Sequence, residues 1–216
     1  MIDSKLFEKI LRISREKGII DIFRPWIDKI PDSIIEKNNH IWLARDFNLE
    51  EIDIKSMIPL TLNFSHSEFE ETFDWIKRNN LLWGDYEKEK QIAISEGHYW
   101  INAKLNKEII AFIKFGTGEI FISDYKKTLS FPKNVVFLYE TYVAPEARRK
   151  RVASYLVNET CKFCKKQGFT KAVTYVHSWN IASLKSMSNA GLREIKTIYY
   201  YKILGFKMLT YNPTKL

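Results

Sequence analysis

The sequence predicts a mixed α/β fold: a central, mostly antiparallel sheet with helices on both faces, preceded by an N-terminal helical and strand extension. Three observations carry that prediction. The run Val135 to Val143 has the length and the Val, Phe, Tyr and Leu content of a buried strand. Two shorter runs, His98 to Leu105 and Glu108 to Phe115, flank Asn106-Lys107 and read as a hairpin. From Val135 onward the order is strand, helix, strand, helix, strand.

The elements follow from local patterns. Ile2, Leu6, Ile10, Leu11 and Ile13 recur at helical spacing, and Gly18 ends that helix. Ile19 to Phe23 is a short apolar run, and Pro25 to Lys37 reads as a broken helix around Pro31. His40 to Phe47 reads as a strand and Asn48 to Pro59 as loop or helical turn. Ser67 to Trp83 is amphipathic, and Ser67 with Glu70 fits a capping box. A second helix, Asp85 to Glu96, ends at Gly97. After the hairpin, Glu119 to Tyr125 is an extension or edge strand, and Lys126 to Lys133 is a loop. Gly168 caps the helix that runs from about Arg149 to Gln167; Lys171 to Val176 is a strand. Asn180 to Asn189 is a short helix stopped near Gly191, and Leu192 to Ile203 is a strand region that is interrupted or continues to Tyr211.

The strand Val135 to Val143 and the helix after it make the chemistry-bearing corner. Pro145 has no N–H and ends the ladder. Arg148, Arg149, Lys150 and Arg151 then lead into the helix. The first amides of a helix have no partner inside it, and the helix dipole adds positive charge there. Four cations at such a point suit a phosphate; a solvated basic corner between strand and helix is the plainer reading.

Composition narrows the classes. The chain has 216 residues, 45% hydrophobic and 14% aromatic, enough for one sizeable core. A net charge of +8 suits nucleic acid, an anionic membrane or a phosphorylated ligand. No apolar run reaches the ~18 residues that span a bilayer, and the charged N-terminus lacks a signal-peptide core. A cytoplasmic location is therefore expected. Cys161 and Cys164 have C-x-x-C spacing without a second pair and fall within a helix, so they read as packing residues; no metal is assigned.

Val143-Ala144-Pro145-Glu146 followed by Arg148 to Ala153 resembles motif A of the GNAT N-acetyltransferase superfamily. That motif is a strand, then Arg/Gln-x-x-Gly-x-Gly/Ala, then a helix. Arg148 and Ala153 occupy its first and last positions, and Arg151 stands where the family has Gly. The segment Val176 to Leu184, with Asn180 and Ser183, resembles the family's second motif, and Gly191-Leu192 stands in for its closing Gly-Phe. The resemblance covers about Ile41 to Tyr211 and implies an acetyltransferase domain over residues 40–216, with residues 1–39 as an extension packed on it.

The resemblance also implies a reaction and a site. Acetyl-coenzyme A would donate its acetyl group directly to a primary amine of a small molecule such as an amino sugar. Arg148, Arg149, Lys150, Arg151, Val152 and Ala153 would hold its pyrophosphate. Tyr142, Val143, Asn180 and Ser183 would meet its pantetheine arm where two parallel strands splay, and the Tyr142 N–H would polarise the thioester carbonyl. Glu140 is the candidate base; it can instead face away or form a salt bridge. His98 and His177 are further candidates. The family's proton-donating Tyr is Met187 here, which leaves water or a hydroxyl among Tyr155, Ser183, Ser186 and Tyr175. Trp26, Trp42, Trp75, Trp83 and Trp100 lie where an acceptor pocket would form, or in the core. Competing readings are a non-catalytic acyl-coenzyme A-binding module, a nucleic-acid-binding protein, and acyl transfer from a charged tRNA. Oligomerisation stays open, and no membrane partner is expected.

Overall fold

The computed structural model describes residues 35–49, 51–64, 68–79, 81, 91, 94–122, 124–125, 127–203 and 206–209. The readings for residues 2–34, the capping box at Ser67 and most of the second helix, 85–96, lie outside them. In chain order the elements are β1 (Ile35–Asp46), β2 (Thr61–Phe64), α1 (Glu68–Arg78), β3 (Tyr99–Leu105), β4 (Glu108–Gly116), β5 (Gly118–Ile122), β6 (Lys127–Phe131) and β7 (Val135–Val143). A 3-10 turn at Pro145–Ala147 leads to α2 (Val152–Lys166), β8 (Lys171–His177), α3 (Ile181–Asn189), β9 (Arg193–Ile203) and β10 (Phe206–Leu209).

Eight strands form one sheet in the order β10-β9-β1-β8-β7-β4-β3-β2. Every neighbouring pair is antiparallel except β7 and β8, which α2 connects as a parallel crossover. The fold class is the expected one. β1 begins at Ile35, so the expected boundary at 39/40 falls inside a strand held between β8 and β9. Lys127–Phe131 is strand β6, not loop: it pairs with β5 as a separate hairpin. Its pattern of two exposed residues before a buried Leu129 hides it from composition alone. At the turn between β3 and β4, Asn106 and Lys107 both have positive φ, 51° and 72°, as a two-residue hairpin of the primed type requires.

Each face of the sheet has its own core. Leu156, Val157, Cys161 and Cys164 of α2 pack on Ile101, Ala111, Ile113, Val136 and Leu138. Burial pushes the Cys161 thiol up to about 12 and raises Cys164 as well, so both are inert packing groups. On the opposite face the β5–β6 hairpin sets Ile120, Ile122, Leu129 and Phe131 against Trp42, Phe137 and Val173. Beside it α1 lays Phe73 and Ile76 on Trp100 and Phe112. Trp42 and Trp100 are thus core residues, and Trp75 is half-buried, edge-on to Tyr142.

A buried polar network ties the α2 layer to β1. Arg45, 7% exposed, donates through Nη1 to Asn158 Oδ1 at 2.8 Å and to the Ala190 carbonyl at 2.9 Å. Asn158 Nδ2 donates in turn to the Ile52 carbonyl at 3.0 Å, anchoring the segment after β1. The guanidinium is tolerated there because its donors find acceptors.

Candidate active site

The site begins with an irregularity in β7. Lys114 pairs with Glu140 but Phe115 pairs with Leu138, so Tyr139 is an extra residue, a β-bulge. The bulge reverses the facing of the residues that follow it. Glu140 and Tyr142 now lie on the side of Lys114 and Phe112; Thr141 and Val143 lie on the side of Ile113 and Ala111. The parallel pairing with β8 covers only Val135 to Phe137. At the point of parting, Thr174 Oγ1 donates to the Leu138 carbonyl at 2.6 Å. Beyond it a gap opens between the two central strands.

Backbone alternation decides which groups enter the gap. The Ala144 amide donates to the Ile110 carbonyl of β4 at 2.8 Å. Peptide groups alternate sides along a strand, so Tyr142 turns toward β4 while Thr141 and Val143 turn into the gap. The Tyr142 amide, from which a carbonyl-polarising contact is expected, therefore faces β4, and the Thr141 amide, which sequence reasoning missed, faces the gap. The signal that finds it is strand parity, readable only once the partner register is known. The Tyr142 side chain stacks with Phe112 and sits 5.8 Å beneath the Arg148 guanidinium.

The turn after β7 presents the basic run. Arg148, Arg149, Lys150 and Arg151 are all exposed. Arg149 and Arg151 adopt positive φ, 62° and 60°. Arg151 is the α2 N-cap in the left-handed conformation, φ 60° and ψ 14°. The substitution for Gly has kept the glycine backbone shape. No side chain caps α2 and its first turn holds no acid, so the leading amides, from Val152 and Ala153 on, remain available to an anion. The Lys150 carbonyl accepts from the Met57 amide at 3.0 Å, which pins the turn from outside.

Gap and turn open into one cleft of about 1200 Å³. It is lined by Thr141 to Val143, by Arg148, Arg149 and Arg151 to Ser154, and by Asn180, Ser183, Ser186 and Met187 of the α3 region. Of the expected cofactor residues, Lys150 alone is outside this lining. Asn180 caps α3, its Oδ1 accepting from the Ser183 amide at 3.1 Å. Met187 is buried at the cleft wall, 5% exposed. Among the candidate hydroxyls, Ser183 and Ser186 line the cleft; Tyr155 does not, and Tyr175 lies on the far face donating to Asp124 at 3.0 Å.

Glu140 forms the salt bridge named among its alternatives. It pairs with Lys114; the two are 11% and 2% exposed. Lys114 Nζ also lies 4.2 Å over the Trp100 ring. Glu140 Oε1 has no hydrogen-bond partner among the described residues. His98 is buried, its Nδ1 3.2 Å from Tyr139 Oη. Of the basic residues on α2, Lys162 and Lys165 are engaged by Glu159 and Glu51.

The sequence matches the acetyltransferase (GNAT) family over residues 66–191, more than half of the chain. The chain belongs to the GNAT acetyltransferase family. The matched span takes in both GNAT-like motifs and ends at Gly191. No curated protein matches this GNAT chain. Among solved structures, a GCN5-related N-acetyltransferase from Sphaerobacter thermophilus is similar in fold with TM-score 0.56 at 9% identity, over 92% of this chain and 58% of that one. A GNAT-family acetyltransferase from Colwellia psychrerythraea gives TM-score 0.51 at 14% identity, over 86% and 62%. An aminoglycoside antibiotic 6'-N-acetyltransferase from Acinetobacter baumannii gives 0.47 at 19%, over 64% and 93%. The GNAT chain spans about three-fifths of the length of the first two; identities this low speak to the fold alone. Among the described residues no helix is long and apolar enough to cross a membrane.

Proposed function

We propose that the protein is an acetyl-coenzyme A-dependent N-acetyltransferase that acts on a primary amine of a small molecule, an amino sugar or another amine. One observation carries the reading: the gap between β7 and β8 runs into an uncapped, acid-free helix start flanked by exposed arginines. A long ligand with a diphosphate at one end and amide groups along its arm fits both features. Acetyl-coenzyme A is such a ligand, and it supplies a thioester-activated acetyl group.

The roles follow from position. The amides at the start of α2, with Arg148, Arg149 and Arg151, hold the diphosphate. The backbone of Val143 and the side chain of Asn180 hold the arm. The Thr141 N–H donates to the carbonyl oxygen on which charge develops. Glu140, paired with Lys114, takes the proton of the incoming ammonium through Oε1, which has no hydrogen-bond partner among the described residues. Ser183 or Ser186, or water, returns a proton to the departing thiolate, a tolerable leaving group with a thiol pKa of about 8–9.

The test is release of free thiol from acetyl-coenzyme A against a broad amine panel, beside calorimetric binding of coenzyme A. Turnover with any amine supports the reading. Met187 in the cleft wall favours one alternative, a module that binds acyl-coenzyme A without turning it over. Binding without thiol release across the panel selects that alternative.

A further inference from the structure

On the face of the sheet away from the cleft, three side chains from three separate elements converge. His40 of β1 and His177 of β8 are direct antiparallel partners, so their rings share one face. Asp124 reaches them from the turn after β5. Their ligand-type atoms all lie within 4.8 Å of one another. Asp124 Oδ2 is 3.2 Å from His177 Nε2 and 3.8 Å from His40 Nε2. Two donors bound at about 2.0–2.1 Å to one tetrahedral ion stand about 3.3 Å apart. The observed separations bracket that spacing.

The surroundings orient all three groups. The other nitrogen of His40, Nδ1, lies 2.8 Å from Tyr125 Oη, and that oxygen also accepts from Trp42 Nε1 at 3.1 Å. The other nitrogen of His177 lies 3.1 Å from the Asn38 side-chain amide. Tyr175 Oη donates to Asp124 Oδ2 at 3.0 Å. Outer partners of this kind fix ring orientation at metal centres. His40 is 2% exposed, whereas Asp124 and His177 keep 35% and 28% of their surface. The group therefore has a buried wall and an open side.

We propose that His40, His177 and Asp124 form a binding site for one divalent transition-metal ion of the zinc type, with a further position open to water. Two imidazoles and one carboxylate suit such an ion better than magnesium or calcium, which prefer all-oxygen sets. The ion would join β1, β8 and the turn after β5. The site does not depend on the acetyl-transfer reading, and its test needs no turnover.

The test is calorimetric titration of the chelator-treated full chain with zinc, with cobalt(II) absorption as a second probe. The expected result is one equivalent bound at micromolar affinity or tighter, an intense visible cobalt band, and a raised melting temperature. His177→Gln and Asp124→Asn are each expected to weaken binding about tenfold or more; circular dichroism checks that both fold. X-ray absorption on the zinc-loaded wild type reads the ligands directly if either variant does not fold. Nitrogen and oxygen scatterers without sulfur support the site. Sulfur ligation, no binding below about 1 mM, or unchanged binding in both folded variants overturns it, and the trio is then a hydrogen-bonded cluster only.

Discussion

The Nε of Arg148 donates to the carbonyl oxygen of Val143 at 3.1 Å, so the basic turn folds back onto the strand that feeds it. The same guanidinium covers the Tyr142 ring. Arg148 thus links the gap between β7 and β8 to the proposed anion site at the head of α2. Arg148→Ala and Arg151→Glu are each expected to weaken coenzyme A binding by about 1–3 kcal/mol, the value of a charged hydrogen bond. Titration calorimetry measures it, and affinity equal to wild type in both variants counts against this corner as the diphosphate site.

Arg151 supplies a stability test that is separate from binding. A non-glycine residue in the left-handed region costs about 1–2 kcal/mol, and glycine gives back part of that in backbone entropy. Arg151→Gly is therefore expected to raise stability by about 0.5–1 kcal/mol, whereas Arg151→Ala leaves it nearly unchanged. Urea unfolding of the two variants measures the difference. A loss of stability in the glycine variant shows that the arginine side chain contributes more than its backbone strain costs.

Glu140 is predicted to act on rate and not on cofactor affinity. Glu140→Gln keeps the side-chain shape but removes the proton acceptor, so kcat falls by about a hundredfold. Coenzyme A binding stays within about threefold, since Glu140 lies outside the cleft lining. An unchanged kcat assigns Glu140 to the Lys114 ion pair alone.

Gly116 and His98 form a tight contact with a pH consequence. A Cβ at Gly116 would lie 2.2 Å from His98 Cδ2. Gly116→Ala is expected to cost about 1–3 kcal/mol by overpacking, and His98→Ala in the same chain should recover part of it. Burial lowers the His98 pKa below 6.5, so the unfolded chain binds more protons than the folded one just below that pH. Stability is then full above about pH 6.5 and falls as pH drops toward the lowered pKa. Unfolding free energies at pH 7 and pH 5.5, in wild type and His98→Gln, check the sign: the variant should show the shallower loss.

Asn158 is predicted to be costly to remove. Asn158→Ala takes one acceptor from the buried Arg45 and frees the segment at Ile52. A loss of about 2–3 kcal/mol is expected; Asn158→Asp, which keeps the acceptor, should lose less.

Much of the fold was legible because its signals are local. The β7 run, the hairpin around Asn106 and Lys107, the short helix after Asn180 and the stop near Gly191 each depend on a few adjacent residues, and all appear where expected. The basic helix start proposed as an anion site was legible for the same reason, since the helix start and four cations are contiguous in sequence. β6 was not, because its pairing partner β5 gives it its identity and its own pattern is weak.

By itself, then, the sequence determined the family, the sheet class and the position of the basic corner, since each is written in contiguous residues with fixed spacing. Tertiary structure alone decided that Thr141 and not Tyr142 turns its amide into the gap, that Glu140 meets Lys114, and that His40, Asp124 and His177 share a corner. The physical reason is common to all three. A one-residue bulge reverses every side chain beyond it, and strand register brings together residues that lie far apart in the chain.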